Sequence, residues 1–233
     1  MPRVKGIQGV SLLDYPDKIC TTLFLEGCNF RCPFCHNPEL VEINDATEEI
    51  IFADVLKKIE GRKNFIEGIC ITGGEPLLND GIIDFVKELK KDRGLPIKID
   101  TNGYNPALLK RMIEDGLMDF VAMDIKTSMK KYYIAAGTGI NEDFIKESIE
   151  IILNSSIPYE FRTTVVPEVV SSDDIREIGS LVNGAKKYAL QQFRNEKVLS
   201  SDFNKVTPYR PEEIKKFKDI LLQFVEIVEI RGI

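Results

Sequence analysis

Six short apolar, β-branched runs recur along the chain, at residues 21–25, 69–72, 97–100, 120–124, 159–166 and 187–191, and most are followed by a segment of helical period. That alternation is what βα units around a parallel sheet require. Helices are expected at 82–91, 106–115, 142–154, 173–182 and 211–224, with a terminal strand at 225–230. An earlier helix carries Ile50, Ile51, Val55, Leu56 and Ile59; Asp45 and Glu48 form a capping box ahead of it and Gly61 stops it. Six strands before the last helix predict an α/β fold, a partial, open (β/α)6 TIM-like barrel rather than a closed eight-stranded one. Working residues in such barrels sit where strands end and loops begin. No fixed-period repeat or linker divides the sequence, so one domain is expected over 1–233. Its core runs from about 20 to 192, with an N-terminal extension (1–19) and a C-terminal helix and strand (205–233).

The 233 residues, 43% hydrophobic, are enough to bury a full core. A net charge of -6 does not suggest a sequence-independent grip on nucleic acid. Residues 1–10 hold Arg3, Lys5 and glycines but no signal-like apolar stretch, and no run of about 18 apolar residues occurs anywhere. A cytoplasmic protein without a membrane span is the expectation. Its five cysteines form no disulfide framework, which suits a reducing compartment and metal thiolates.

Three of those cysteines, Cys28, Cys32 and Cys35, fall within eight residues in the loop after the first run. Thiolates at this spacing can hold three irons of a 4Fe-4S cluster and leave the fourth without a protein ligand. Structural zinc is the competing reading, but it usually takes four protein ligands, and the fourth would have to be Cys20, Cys70 or the adjacent His36. Gly73, Gly74, Glu75 and Pro76 end the second run; the glycines admit close backbone approach and Glu75 can receive a cationic amine, although a plain strand-to-helix turn would look the same. Asp100-Thr101-Asn102-Gly103 and Asp124-Ile125-Lys126 close the third and fourth runs, either as site residues or as a turn and a solvated ion pair. Arg162 opens the Arg-Thr-Thr-Val-Val-Pro stretch of the fifth and could equally pair with a surface acid. His36 is the only histidine, which weakens hydrolytic readings that need a histidine base. Cys20 and Cys70 read most simply as buried small apolar residues.

The cysteine spacing, followed by His36-Asn37-Pro38, resembles the signature of the radical S-adenosylmethionine enzymes. The resemblance implies that Cys28, Cys32 and Cys35 ligate the cluster and that the open iron is chelated by the amino and carboxylate groups of S-adenosylmethionine. One electron then yields methionine and a 5′-deoxyadenosyl radical that abstracts hydrogen. Phe34 matches an aromatic whose backbone meets the adenine, and loop packing would account for it too. Gly73, Gly74 and Glu75 match the element that binds the methionine amine. By similarity to glycyl-radical activating enzymes, Asp100, Thr101 and Asp124, with the Ala122 carbonyl, hold a monovalent cation beside the methionine carboxylate, which Lys126 touches. Arg162 resembles the arginine before those enzymes' valine-proline run. A histidine of better-known formate-lyase activators has no counterpart near Arg194.

Residues 11–18, Ser-Leu-Leu-Asp-Tyr-Pro-Asp-Lys, ahead of Glu26-Gly27-Cys28, are most similar to the activating proteins of anaerobic ribonucleoside-triphosphate reductase. The resemblance therefore implies hydrogen abstraction from a glycine of that partner, with flavodoxin or ferredoxin as electron donor and Asp14 near the incoming loop. The alternatives are activation of another glycyl-radical enzyme of the pyruvate formate-lyase type, small-molecule radical chemistry, or a non-catalytic zinc-stabilised interaction module.

Overall fold

Extended pairing in the computed structural model begins earlier than the apolar runs suggest. The structure describes residues 1–46, 48–78 and 80–233, and Asp92 and Arg93 by backbone alone. Val4–Ser11 forms β1, which pairs antiparallel with β2 (Cys20–Leu25) and shifts register twice. Two glycines and isolated apolar residues hide this strand from a period-two reading. The other strands lie within two residues of expectation: β3 (Gly68–Gly73), β4 (Ile97–Thr101), β5 (Phe120–Asp124), β6 (Tyr159–Val165), β7 (Lys187–Gln192) and β8 (Ile227–Arg231).

The helices are α1 (Phe52–Glu60), α2 (Gly81–Arg93), α3 (Pro106–Glu114), the short α4 (Tyr132–Ala136), α5 (Glu142–Leu153), α6 (Ser172–Leu181) and α7 (Pro211–Leu221). The expected capping box of α1 does not form. Ile50 makes an antiparallel bridge to Val4, so the chain stays extended through Ile51, which caps the helix without a side-chain bond. Asp45 instead meets the Arg3 guanidinium, and the Glu48 carbonyl accepts from Lys5 Nζ at 3.3 Å. A true capping box opens α6, where Ser171 and Asp174 satisfy each other's backbone amides.

The described residues form two compact units. The first comprises Met1–Asn29, Glu39–Thr101 and Ala107–Val121. Its strands run β1-β2-β3-β4, with β2, β3 and β4 parallel and Thr22, Cys70 and Lys98 in one row. Ile82, Phe85, Val86 and Leu89 of α2 are buried at helical spacing, and burying each such side chain stabilises by about 1.5–3 kcal/mol. The second comprises Phe30–Pro38, Asn102–Pro106 and Ala122–Ile233, with parallel β6-β7-β8. Its core includes Phe161, Tyr188, Ile175, Ile178, Ile214 and Phe217. Strand β5 gives its first two residues to the first unit and Ala122, Met123 and Asp124 to the second.

Candidate cofactor-binding site

In the first unit the chain leaves β2 through Glu26, which is buried and salt-bridged to Arg3 at 3.2 Å and Lys5 at 3.3 Å. Gly27 follows with φ +95°, donating to the Leu40 carbonyl at 2.8 Å, and Cys28 N–H donates to Val41 at 3.0 Å. Lys5 of β1 and Arg3 just before it thus supply the cations that hold the root of the cysteine loop. The glycines at the end of β3 are required by close backbone approach. A Cβ on Gly73 would lie 2.3 Å from the Leu25 oxygen, and one on Gly74 would lie 2.1 Å from that of Gly27. Without those methyl groups Gly74 N–H reaches Leu25 O at 2.9 Å and Glu75 N–H reaches Gly27 O at 2.8 Å.

Glu75 is 4% exposed, and its Oε1 accepts from Thr101 Oγ1 at 2.7 Å and from Leu77 N–H at 2.9 Å. Two donors on one oxygen fix the carboxylate in a pose suited to an ammonium partner. Asp100 is engaged by Lys98, whose ammonium meets Asp100 Oδ1 and lies 3.8 Å from Cys70 Sγ. Burial pushes the Cys20 and Cys70 thiols up, Cys70 well above its ordinary range. Burial thus favours the thiol form of both, in keeping with the apolar reading of these residues.

In the second unit Cys32 and Cys35 share a tight turn, with Cys35 N–H donating to Cys32 O at 3.0 Å. Gly137 makes room for Arg31: a Cβ there would lie 2.0 Å from the Arg31 oxygen, which sits beside the 2.7 Å bond from Arg31 N–H to Ala136. The far side of the turn is braced from the segment after β7. Ser200 N–H donates to Pro33 O at 2.8 Å, and His36 Nε2 donates to Arg194 O at 2.9 Å. His36 stacks on Phe193 with centroids 5.8 Å apart, and Phe34 packs on Phe203 at 6.1 Å. Asn195 Nδ2 bonds the carbonyls of Asn204 and Val206 at 3.1 Å each, and Asn204 Nδ2 returns to Asn195 O, closing the loop that carries Phe203.

Asp124, at the end of β5, receives Arg162 Nε at 2.8 Å on one oxygen and Lys126 Nζ at 3.1 Å on the other. Burial works to raise the Asp124 carboxyl, but the charges of Arg162 and Lys126 outweigh it and hold the group well below the usual carboxylate range. Burial likewise opposes the charged form of Lys126, and the negative charges of Asp124 and then Cys32 overcome it and raise its pKa.

The structure thus joins Glu75 to Thr101, Cys32 to Cys35, and Asp124 to both Lys126 and Arg162. Phe34 belongs to the braced turn. Asp100 is tied to Lys98, a residue the sequence reading missed although it lies two positions away on one strand face. Phe193, Asn195 and Phe203 were also missed, since no local pattern links them to the cysteines. All five cysteines are free thiols, and three soft sulfur donors suit an iron-sulfur cluster. Among the described residues no three His, Cys, Asp or Glu side chains enclose a single metal ion. Residue by residue, the three thiols suit a cluster, the Glu75 carboxylate has the charge to receive an amine, and Lys126 and Arg162 have the charge to receive a carboxylate.

A family model described as the radical SAM superfamily matches residues 22–182. A Methanocaldococcus jannaschii protein described as a glycyl-radical enzyme activating enzyme is 34% identical over 99% of this chain and 96% of its own length. The pyruvate formate-lyase-activating enzyme of Clostridium pasteurianum is 27% identical over 96% of this chain and 89% of its own. Among solved structures, Streptococcus suis SuiB bound to S-adenosylmethionine superposes with a TM-score of 0.65 at 13% identity, covering 88% of this chain and 48% of SuiB. QueE from Escherichia coli covers 100% of this chain and 94% of its own at TM-score 0.56 and 15% identity. These likenesses show the fold class, the α/β open-barrel type expected from the sequence. No helix among the described residues is long and apolar enough to cross a membrane.

Proposed function

Since the chain belongs to the radical SAM superfamily, among the enzymes that activate glycyl-radical enzymes, we propose that its substrate is one glycine of the anaerobic ribonucleotide reductase. The observation behind this choice of partner is the 11–18 segment with the Glu26-Gly27-Cys28 and Cys35-His36-Asn37-Pro38 flanks. A reduced 4Fe-4S cluster with S-adenosylmethionine supplies the one-electron cleavage and the hydrogen abstraction that such an activation needs.

In this reading Cys28, Cys32 and Cys35 hold three irons. Glu75, oriented by Thr101 and the Leu77 amide, receives the methionine amine. Lys126 stays on Asp124, beside Arg162, and extends its remaining N–H groups to the methionine carboxylate, Phe34 offers its backbone to the adenine, and Gly73 and Gly74 keep that wall of the site free of side chains. Residues 1–233 act as one radical SAM domain in the cytoplasm, with flavodoxin or ferredoxin as donor.

Mixing anaerobically reduced protein, S-adenosylmethionine and the reductase tests the assignment by electron paramagnetic resonance. A glycyl doublet on the reductase is expected, and its absence with 5′-deoxyadenosine still being formed rejects this partner. The likeness to the Clostridium pasteurianum enzyme supports a second reading, activation of a pyruvate formate-lyase. A doublet on that enzyme alone would select it.

A further inference from the structure

We infer that Lys98 is a built-in counter-ion for Asp100, taking the place of the monovalent metal cation that the family resemblance implies, so that this protein neither needs nor binds Na+ or K+ there. The inference rests on the radical SAM reading of the site, but its first test does not depend on that reading.

Lys98 is 1% exposed and Asp100 lies two residues further along β4, on the same strand face. The ammonium meets Asp100 Oδ1 directly. Its remaining surroundings include the Cys70 sulfur at 3.8 Å, in the row that pairs Cys70 with Lys98 across β3 and β4. The buried ammonium is tolerated because it meets a carboxylate, and Asp100, 14% exposed in its side chain, gains a cation that needs no recruitment from solvent. A metal cation ligated by Asp100 would stand beside an ammonium already occupying that carboxylate, and like charges at such range repel strongly away from water.

A second expected carboxylate ligand is likewise engaged by cations. Asp124, within its own unit, has one oxygen on Arg162 and the other on Lys126. Carboxylates that would otherwise call for a metal cation are neutralised by side chains encoded in the sequence.

The first test is thermal unfolding of the cluster-free 233-residue chain at constant ionic strength, with KCl or NaCl exchanged for tetramethylammonium chloride. The wild-type midpoint should be the same in all three salts. A Lys98→Met variant should unfold lower in tetramethylammonium and recover by several degrees in K+, because a vacated carboxylate then gains from binding the ion. Lys98→Arg, which keeps the charge, should be indifferent to the salt and covers the case in which Lys98→Met does not fold. The second test is equilibrium binding of S-adenosylmethionine to the reconstituted protein: wild-type affinity should change less than about twofold between salts, whereas Lys98→Met should lose at least about tenfold without K+. A wild-type midpoint or affinity that rises with K+ overturns the inference, as does a Lys98→Met variant indifferent to the ion. Failure to bind S-adenosylmethionine in every salt would instead reject the proposed function, leaving the unfolding data to decide the role of Lys98.

Discussion

Thr101 Oγ1 donates a 2.7 Å hydrogen bond to Glu75 Oε1, tying the end of β4 to the second residue after β3. Both side chains are buried, at 2% and 4% exposure, so little competes with that bond. Thr101→Val removes the donor at nearly constant volume and leaves Glu75 with one fewer partner. A buried acceptor deprived of its donor costs about 1–3 kcal/mol. S-adenosylmethionine affinity, measured by equilibrium binding to the reconstituted protein, should fall roughly tenfold, and Thr101→Ser should restore it.

Iron content should separate the five cysteines into two classes. Ala at Cys28, Cys32 or Cys35 should lower iron well below about four per chain, whereas Ala at Cys20 or Cys70, whose thiols burial keeps protonated, should leave it intact. Equal loss from all five would overturn the ligand assignment.

The brace behind the Cys32–Cys35 turn is testable without any cofactor. Phe203→Ala removes the ring on Phe34. Asn204→Ala opens the loop that carries Phe203 by deleting its bond to Asn195 O. In the apo protein both changes should speed hydrogen exchange at the Cys35 and Ser200 amides by about tenfold or more while leaving β2 amides unchanged. Unaltered exchange at Cys35 would show that the turn holds its shape alone.

Asp174 provides a pH signature of the fold. Burial raises its pKa, but the bonds from Lys131, Ser128 and Ser171 prevail and bring it down to about 2, from an ordinary 3.8. A folded-state pKa below the unfolded one stabilises the protein above pH ~4, and that contribution disappears as pH falls towards 2. Asp174→Asn should therefore cost about 2 kcal/mol at neutral pH. Its denaturation midpoint should converge with wild type below about pH 2, and a constant gap across that range would count against the assignment.

Strands β2 to β7 were legible because each is a short apolar run bounded by turn residues, and β5 matches its expected limits at both ends. Strand β1 was not, since Gly6, Gln8 and Gly9 break the alternation and its pairing depends on β2. Tertiary pairing of Val4 with Ile50 also delayed α1 and diverted Asp45 from capping to Arg3. At the candidate site, spacing marked Cys28, Cys32, Cys35 and Glu75, whose chemistry is local. Lys98 escaped notice because a lysine inside an apolar run reads as a surface position until its partner is known. Phe203 and Asn204 lie too far along the chain for any window to connect them with Cys35.

The dependence of the cysteine turn on Ser200 and Phe203 bears on biogenesis. All three cysteines leave the ribosome long before the segment that braces the Cys32–Cys35 turn, so a nascent chain carries that turn without the Ser200 and Phe203 contacts. The turn therefore reaches its braced form only once residues 200–203 have been synthesised.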